Sequence, residues 1–325
     1  DTHTRMEEPK PPSVVDLGNE RRVLLRRESM SKARLKRHDT VKDVVQESLH
    51  RALGGGVAGA MAMSVQVTTL MWMRTTVAYQ YRYGSSMPEA LRALHQQGGI
   101  RRFYAGFLPA MLQAPLSRFG DTASNAGVMS LLNSNESTHA LPTGVKSLAS
   151  ASIATTWRIG LMPIDTLKTM MMVEGNGGFG KLREKMGKGG PGVLYHGATG
   201  LVGSAFIGHY FWYGTYNMLD ARFPLTANHS PLSQLSRNAL VGFFSSVVSD
   251  TATNSIRVLK TYRQTSTTPI SYGDAARTII AQDGLLGLMG RGLATRLVSN
   301  GVQAALFSAT WKYLEKRIAA MRNRH

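Results

Sequence analysis

The sequence predicts an all-α membrane protein, six transmembrane helices in three pseudo-symmetric repeats of about 95 residues. Three observations carry that expectation. The first is uncharged length. Ala52–Met73, "ALGGGVAGAMAMSVQVTTLMWM", has no charged residue, and Ala198–Leu219, "ATGLVGSAFIGHYFWYGTYNML", has only His209. As helices each would be about 33 Å long, enough for a hydrocarbon core of about 30 Å. The second is a recurring aromatic–x–Gly entrance to an apolar run: Tyr104-Ala105-Gly106, Tyr195-His196-Gly197 and a weaker Gly290-Arg291-Gly292, each behind a glycine-rich turn. The third is a pair of small residues four apart opening an apolar run: Gly55/Gly59, Ser150/Ala154 and Gly242/Ser246. Residues four apart share a helix face, and small ones there let two backbones approach. A small-residue pair, a glycine-rich turn and an x–Gly entrance in one order, three times over, are the signature of an internal repeat.

In chain order, residues 1–43 come first. They are charged, broken by prolines and poor in aromatics, and they read as a polar extension without a secretory h-region. The first repeat spans 44–137, the second 138–228 and the third 229–318; residues 319–325 are a basic tail. Further apolar stretches lie near 105–132, 145–172, 236–262 and 292–314. Each unit is expected to be two membrane helices joined by a short amphipathic segment, near 87–94 in the first and 273–280 in the third. "GNGGFGK" at 175–181 reads as a loop; it lacks the spacing of a phosphate-binding glycine loop.

Composition narrows the function. The absence of cysteine excludes disulfides, cysteine–metal sites and thiol catalysis. The nine histidines show no metal-ligand spacing, and no catalytic constellation stands out, so the expectation is no enzyme, no metal and no cofactor. A formal charge of +18 fits nucleic acid, anionic lipid or anionic small molecules. Nucleic acid drops out because the charge is spread over tails and loops between the apolar spans. A mean hydropathy of −0.14 is low for a membrane protein, as it would be if helices keep one polar face toward an aqueous cavity.

"LMPIDTLKTM", 161–170, ends an apolar run with Pro163, Asp165 and Lys168. Proline removes a backbone donor and kinks a helix. An acid and a base three apart face neighbours on either side. The third unit reads "SIRVLK", with Ser255, Arg257 and Lys260; the first reads "TTLMWM", with neither acid nor base.

At these residues the chain resembles the mitochondrial carrier family over roughly 48–318. That family has three repeats, six tilted helices and a Pro-x-[Asp/Glu]-x-x-[Lys/Arg] motif on each odd helix. The resemblance implies transport of a small metabolite across the mitochondrial inner membrane by alternating access, with both termini on the intermembrane-space side. It also implies a matrix gate from Pro163, Asp165, Lys168, Arg257 and Lys260, in which only Asp165 and Lys260 can pair between repeats. The outer, cytoplasmic gate aligns with Tyr216, Asn217 and Asp220, and with Lys312 and Glu315 in exchanged order. Substrate positions fall on Gln113, Ser204, Ala205 and Ser299, with Arg118, His209 and Asn300 nearby. Arg118 and Asp121, three apart, read equally as a local ion pair; His209 reads also as a packing residue. The glycine turns ending at Gly106, Gly197 and Gly292 resemble the family's cardiolipin sites. The implied partners are therefore the lipid bilayer, cardiolipin and a small solute. The competing function is a structural accessory subunit of a respiratory or ATP-synthase complex, docked through residues 1–43.

Overall fold

The computed structural model describes residues 41–134, 136–224 and 231–303. Among these, every regular element is helical. The expectations for residues 1–40 and for Lys312, Glu315 and the 319–325 tail lie outside the described residues.

The first unit runs α1 (Val41–Tyr83), α2 (Met87–Gln96) and α3 (Phe107–Ser134). The second runs α4 (Thr143–Gly160), α5 (Met162–Glu174), α6 (Gly178–Gly189) and α7 (Ala198–Arg222). The third runs α8 (Pro231–Thr265), α9 (Tyr272–Gly290) and α10, helical over 293–303. The α4–α5 pair is one long helix broken at Leu161 (φ −88°, ψ 0°), where Pro163 enters the first turn of α5 and cannot donate backward. In α1 the same break falls at Leu70 (φ −117°, ψ 16°), without a proline.

Local chemistry starts the connecting helices. Ser86 and Glu89 form a capping box for α2, with the Ser86 N–H donating to Glu89 Oε2 at 2.9 Å. Ser271 Oγ accepts from the Asp274 N–H at 3.1 Å and starts α9. These helices cover the expected amphipathic segments. The expected loop at 175–181 is different: Gly175–Gly177 make a 3₁₀ turn, and α6 begins at Gly178. Packing overrides the poor helix propensity of glycine there. A Cβ on Gly178 would sit 2.7 Å from the Met170 carbonyl oxygen, and α6 buries Leu182 and Lys185.

Helices α1, α5 and α8 contact one another, and α3, α4 and α7 close the bundle around them. One apolar cluster joins Val67, Met71 and Ala78 of α1 to Ala110 and Ala114 of α3 and Met172 and Val173 of α5. A second joins Val77 and Tyr81 of α1 to Val258 and Tyr262 of α8 and Ala275, Ile279 and Leu288 of α9. Both clusters cross repeat boundaries.

The repeats are locked in cyclic order by two sets of contacts. Gly106 (φ +80°) lies against the Lys168 carbonyl oxygen, Gly197 against Gln264, and Gly292 (φ +63°) against Tyr81. A Cβ at each would come within 3.0 Å of those neighbours. The three glycines are buried, so their smallness is a packing requirement between repeats. Beside each, a cation reaches the carboxyl end of the next repeat's odd helix. Arg102 donates to Met172 O (3.0 Å) and Val173 O (2.6 Å), Lys185 to Arg263 O (2.8 Å) and Gln264 O (3.0 Å), and Arg291 to Arg82 O (3.3 Å). Helix carboxyl ends expose unpaired carbonyls and partial negative charge, which is what a cation satisfies.

Lys185 is 0 % exposed, and burial, with Arg263 and Arg82 nearby, pushes its ammonium down to about 8. A lysine whose folded value lies below its unfolded 10.5 binds fewer protons when folded, so its contribution to stability rises between pH about 8 and 10.5. The neutral amine still holds two N–H donors for its two carbonyls. Lys185→Met is expected to lower stability by about 1–3 kcal/mol, because two buried acceptors lose their donor. The gap in melting temperature between parent and variant should widen from pH 7 to 9.5; a constant gap would mean that Lys185 does not titrate there.

No described helix is long and apolar enough to cross a membrane. The uncharged run of α7 has the length, but its glycines, Thr199, Ser204, His209 and Asn217 dilute it. The apolar residues are sorted outward instead. Leu108 and Leu112, Ile153 and Trp157, Ile207 and Phe211, and Leu240, Phe244 and Val248 repeat at helical spacing and are exposed.

Candidate functional site: a basic cavity between the repeats

The helices enclose a cavity of about 880 Å3, lined from all three repeats. Of the expected substrate residues, Arg118, Ser204, Ala205, His209, Ser299 and Asn300 all line it. Gln113 stands at its edge, where its Oε1 accepts from Lys168 Nζ at 2.9 Å. Ser204 spends its hydroxyl on Leu201 O (3.0 Å) of its own helix. His209 uses Nδ1 with Ala205 O at 2.7 Å and stacks on Tyr213. Its ring thus packs within α7 and still faces the cavity.

The local pair of Arg118 with Asp121 does not form. Asp121 bonds Arg158 of α4 instead, which ties two helices together. Arg118 is left facing the cavity with no ion-pair partner among the described residues.

At the other end of the cavity, Asp165 accepts from Lys168 Nζ at 2.7 Å and from Lys260 Nζ at 2.8 Å. The contact with Lys260 joins the second repeat to the third. Asp165 therefore serves two lysines, and among the described residues no carboxylate of the first repeat reaches Lys168. Arg257 pairs with Asp250 at 2.9 Å, within its own helix. Asp250 also binds Arg296 at 2.9 Å and accepts from Asn300.

Two equivalent contacts fix the register of the first repeat. Thr75 Oγ1 donates to Phe103 O at 2.7 Å, and Thr166 Oγ1 to Leu194 O at 2.7 Å. Thr75 therefore matches Thr166, and Arg74 stands where the second repeat has Asp165. The helix breaks at Leu70 and Leu161 agree with that register. This corrects the reading of "TTLMWM" as the uncharged counterpart: the equivalent position holds a base. The signal was in the sequence. Gly197 lies 34 residues after Pro163, and 34 residues before Gly106 is Trp72, two before Arg74. Arg74, Asp250 and Arg296 are the residues that sequence reasoning missed, and all sit in or against the cavity.

At the outer end, Tyr216 stacks on Trp212, and Asn217 is exposed. Asp220 pairs with Arg237 of α8, which also donates to Phe223 O. Asp220 is thus committed to a neighbouring helix near the carboxyl end of α7. Among the described residues no group of carboxylate and histidine side chains is arranged to hold a metal ion.

The family model for the mitochondrial carrier protein matches residues 45–136 and 232–321, more than half of the chain. No curated protein matches it. The matched segments are the first and third repeats. The second, which alone carries Pro163, Asp165 and Lys168 together, lies between them.

Proposed function

Because the chain belongs to the mitochondrial carrier family, we propose that it moves a small anionic metabolite across the mitochondrial inner membrane by alternating access. The observation that carries this reading is the charge of the cavity. Arg74, Arg118, Arg158, Lys168, Arg257, Lys260 and Arg296 line it, against Asp121 and Asp165, with Asp250 behind. Cations gathered in a low-dielectric cleft raise the local concentration of anions and hold them more strongly than water-exposed ones would.

Six helices cross the bilayer as a bundle, the sixth being the one that α10 begins. In α3, α4, α7 and α8 apolar side chains face outward, and the charged residues of the cavity face inward. That arrangement accounts for helices that are individually not apolar enough to cross. Asp165, Lys168 and Lys260 close the matrix side, and Tyr216 with Asp220 belongs to the outer end. The helix starts after Gly106, Gly197 and Gly292 carry the partial positive charge that suits lipid phosphate such as that of cardiolipin.

Purified full-length protein reconstituted in liposomes is expected to take up labelled anionic metabolites and to ignore cationic and neutral ones. Uptake confined to cationic solutes would overturn the assignment of charge. No uptake of any metabolite, together with stable co-purification with a respiratory or ATP-synthase complex, would replace transport with the accessory-subunit role.

A further inference from the structure

We propose that the matrix end of the cavity holds a binding site for a multiply charged oxyanion, of the phosphate or dicarboxylate kind, centred on Arg74. The inference rests on the carrier reading and deepens it. A ring of three acids and three bases closes without a ligand. Here the three acid positions hold Arg74, Asp165 and Arg257, and the three base positions hold Val77, Lys168 and Lys260. Two of the acids have become arginines, and one base is gone.

Asp165 is shared by its two lysines, and Asp250 is shared by Arg257 and Arg296. That leaves Arg74 with no carboxylate among the described residues. Its Nε is buried without a hydrogen-bond partner, and among the described residues its Nη2 meets only the sulfur of Met63, at 3.3 Å. Lys168 and Arg296 lie near enough to repel it. A guanidinium held among cations, with its Nε shut off from solvent and without an acceptor, is costly as it stands. Its fork suits two oxygens of one oxyanion, and Lys168 adds a point charge beside it. An incoming anion therefore supplies the negative charge that the first repeat lacks, and completes the ion network from inside the cavity. A monoanion would leave the surplus only partly cancelled, so the site favours two charges or more.

The test uses purified full-length protein in detergent. Inorganic phosphate and succinate are expected to raise its melting temperature at ionic strength matched with chloride. Arg74→Gln should weaken the apparent affinity for both about tenfold or more, the loss of a charge-assisted pair. Arg74→Glu places an acid in the ring; it should melt higher than the parent without any anion and respond to neither phosphate nor succinate. Arg277→Gln changes an exposed arginine of α9 and should respond as the parent does. A shift with phosphate and not succinate, or the reverse, assigns the oxyanion and keeps the site. Chloride acting as well as either anion, or Arg74→Glu responding like the parent, overturns it. Binding that follows this pattern without any uptake by liposomes would remove the transport reading alone. Uptake by Arg74→Gln at the parent's KM would remove the site alone.

Discussion

Asp165→Asn is expected to cost about 3–5 kcal/mol of stability and to abolish uptake. Its carboxylate is 9 % exposed, and each of its lysines 17 %. Asparagine keeps the shape and one acceptor but removes the charge. Two ammonium groups then remain side by side, largely out of water, with no carboxylate between them, and stranding a buried charge costs about that much. Water in the cavity moves the figure toward the lower end. The loss is also functional, because the contact with Lys260 is the ion pair that joins the second repeat to the third. Melting temperature and liposome uptake measure both effects. A double change, Asp165→Asn with Lys260→Gln, relieves one stranded cation and should be less destabilising than the sum of the two singles. If Asp165→Asn melts with the parent, the network contributes nothing to holding the bundle.

Asp250→Asn should be comparably damaging, for a different reason. Asp250 is 7 % exposed and serves Arg257 from its own helix and Arg296 from α10. Its removal frees two guanidiniums within one repeat, again at about 3–5 kcal/mol. Adding Arg257→Gln should restore part of the loss, since of the two freed guanidiniums only Arg296 would then remain without its acid. The Gly106 contact lies between the first and second repeats and should survive. An intact melting temperature for Asp250→Asn would show that Arg257 and Arg296 find other acceptors.

The repeat architecture was legible because it rests on local steric demands. Gly106 and Gly197 must be small, and their spacing shows in the sequence without knowledge of what presses on them. Asp165 with Lys260 was legible for a similar reason, since both belong to a short motif whose partner lies one repeat away. Arg74 was not, because the small pair Gly55/Gly59 that marks the first repeat lies at the opposite end of a long helix from the break at Leu70. Alignment from Gly106 crosses α2 and a short turn and keeps its register. Asp250 escaped notice because its partners lie two turns along the same helix and on α10, and no short motif joins them. The helix α6 was hidden by its glycines, whose low propensity is overcome only by contact with α5. Arg118 was undecidable from spacing alone: Asp121 faced two arginines, and only the packing of α3 on α4 chose Arg158.

The three caps made by Arg102, Lys185 and Arg291 define a single heterologous interface used three times. Each unit offers a donor on one flank and a bare helix end on the other. Such head-to-tail contacts grow into open chains unless the rotation closes, and here it closes at three. Two units alone would leave one donor idle and one helix end uncovered. In geometric terms the chain is a homotrimer whose subunits have been tethered. Tethering removes the constraint that every subunit carry every charge. In a true homotrimer, arginine at the position of Arg74 would appear three times and empty the ring of acids. In a tethered one, each flank diverges separately, so a single acid, Asp165, stays beside two arginines at equivalent positions.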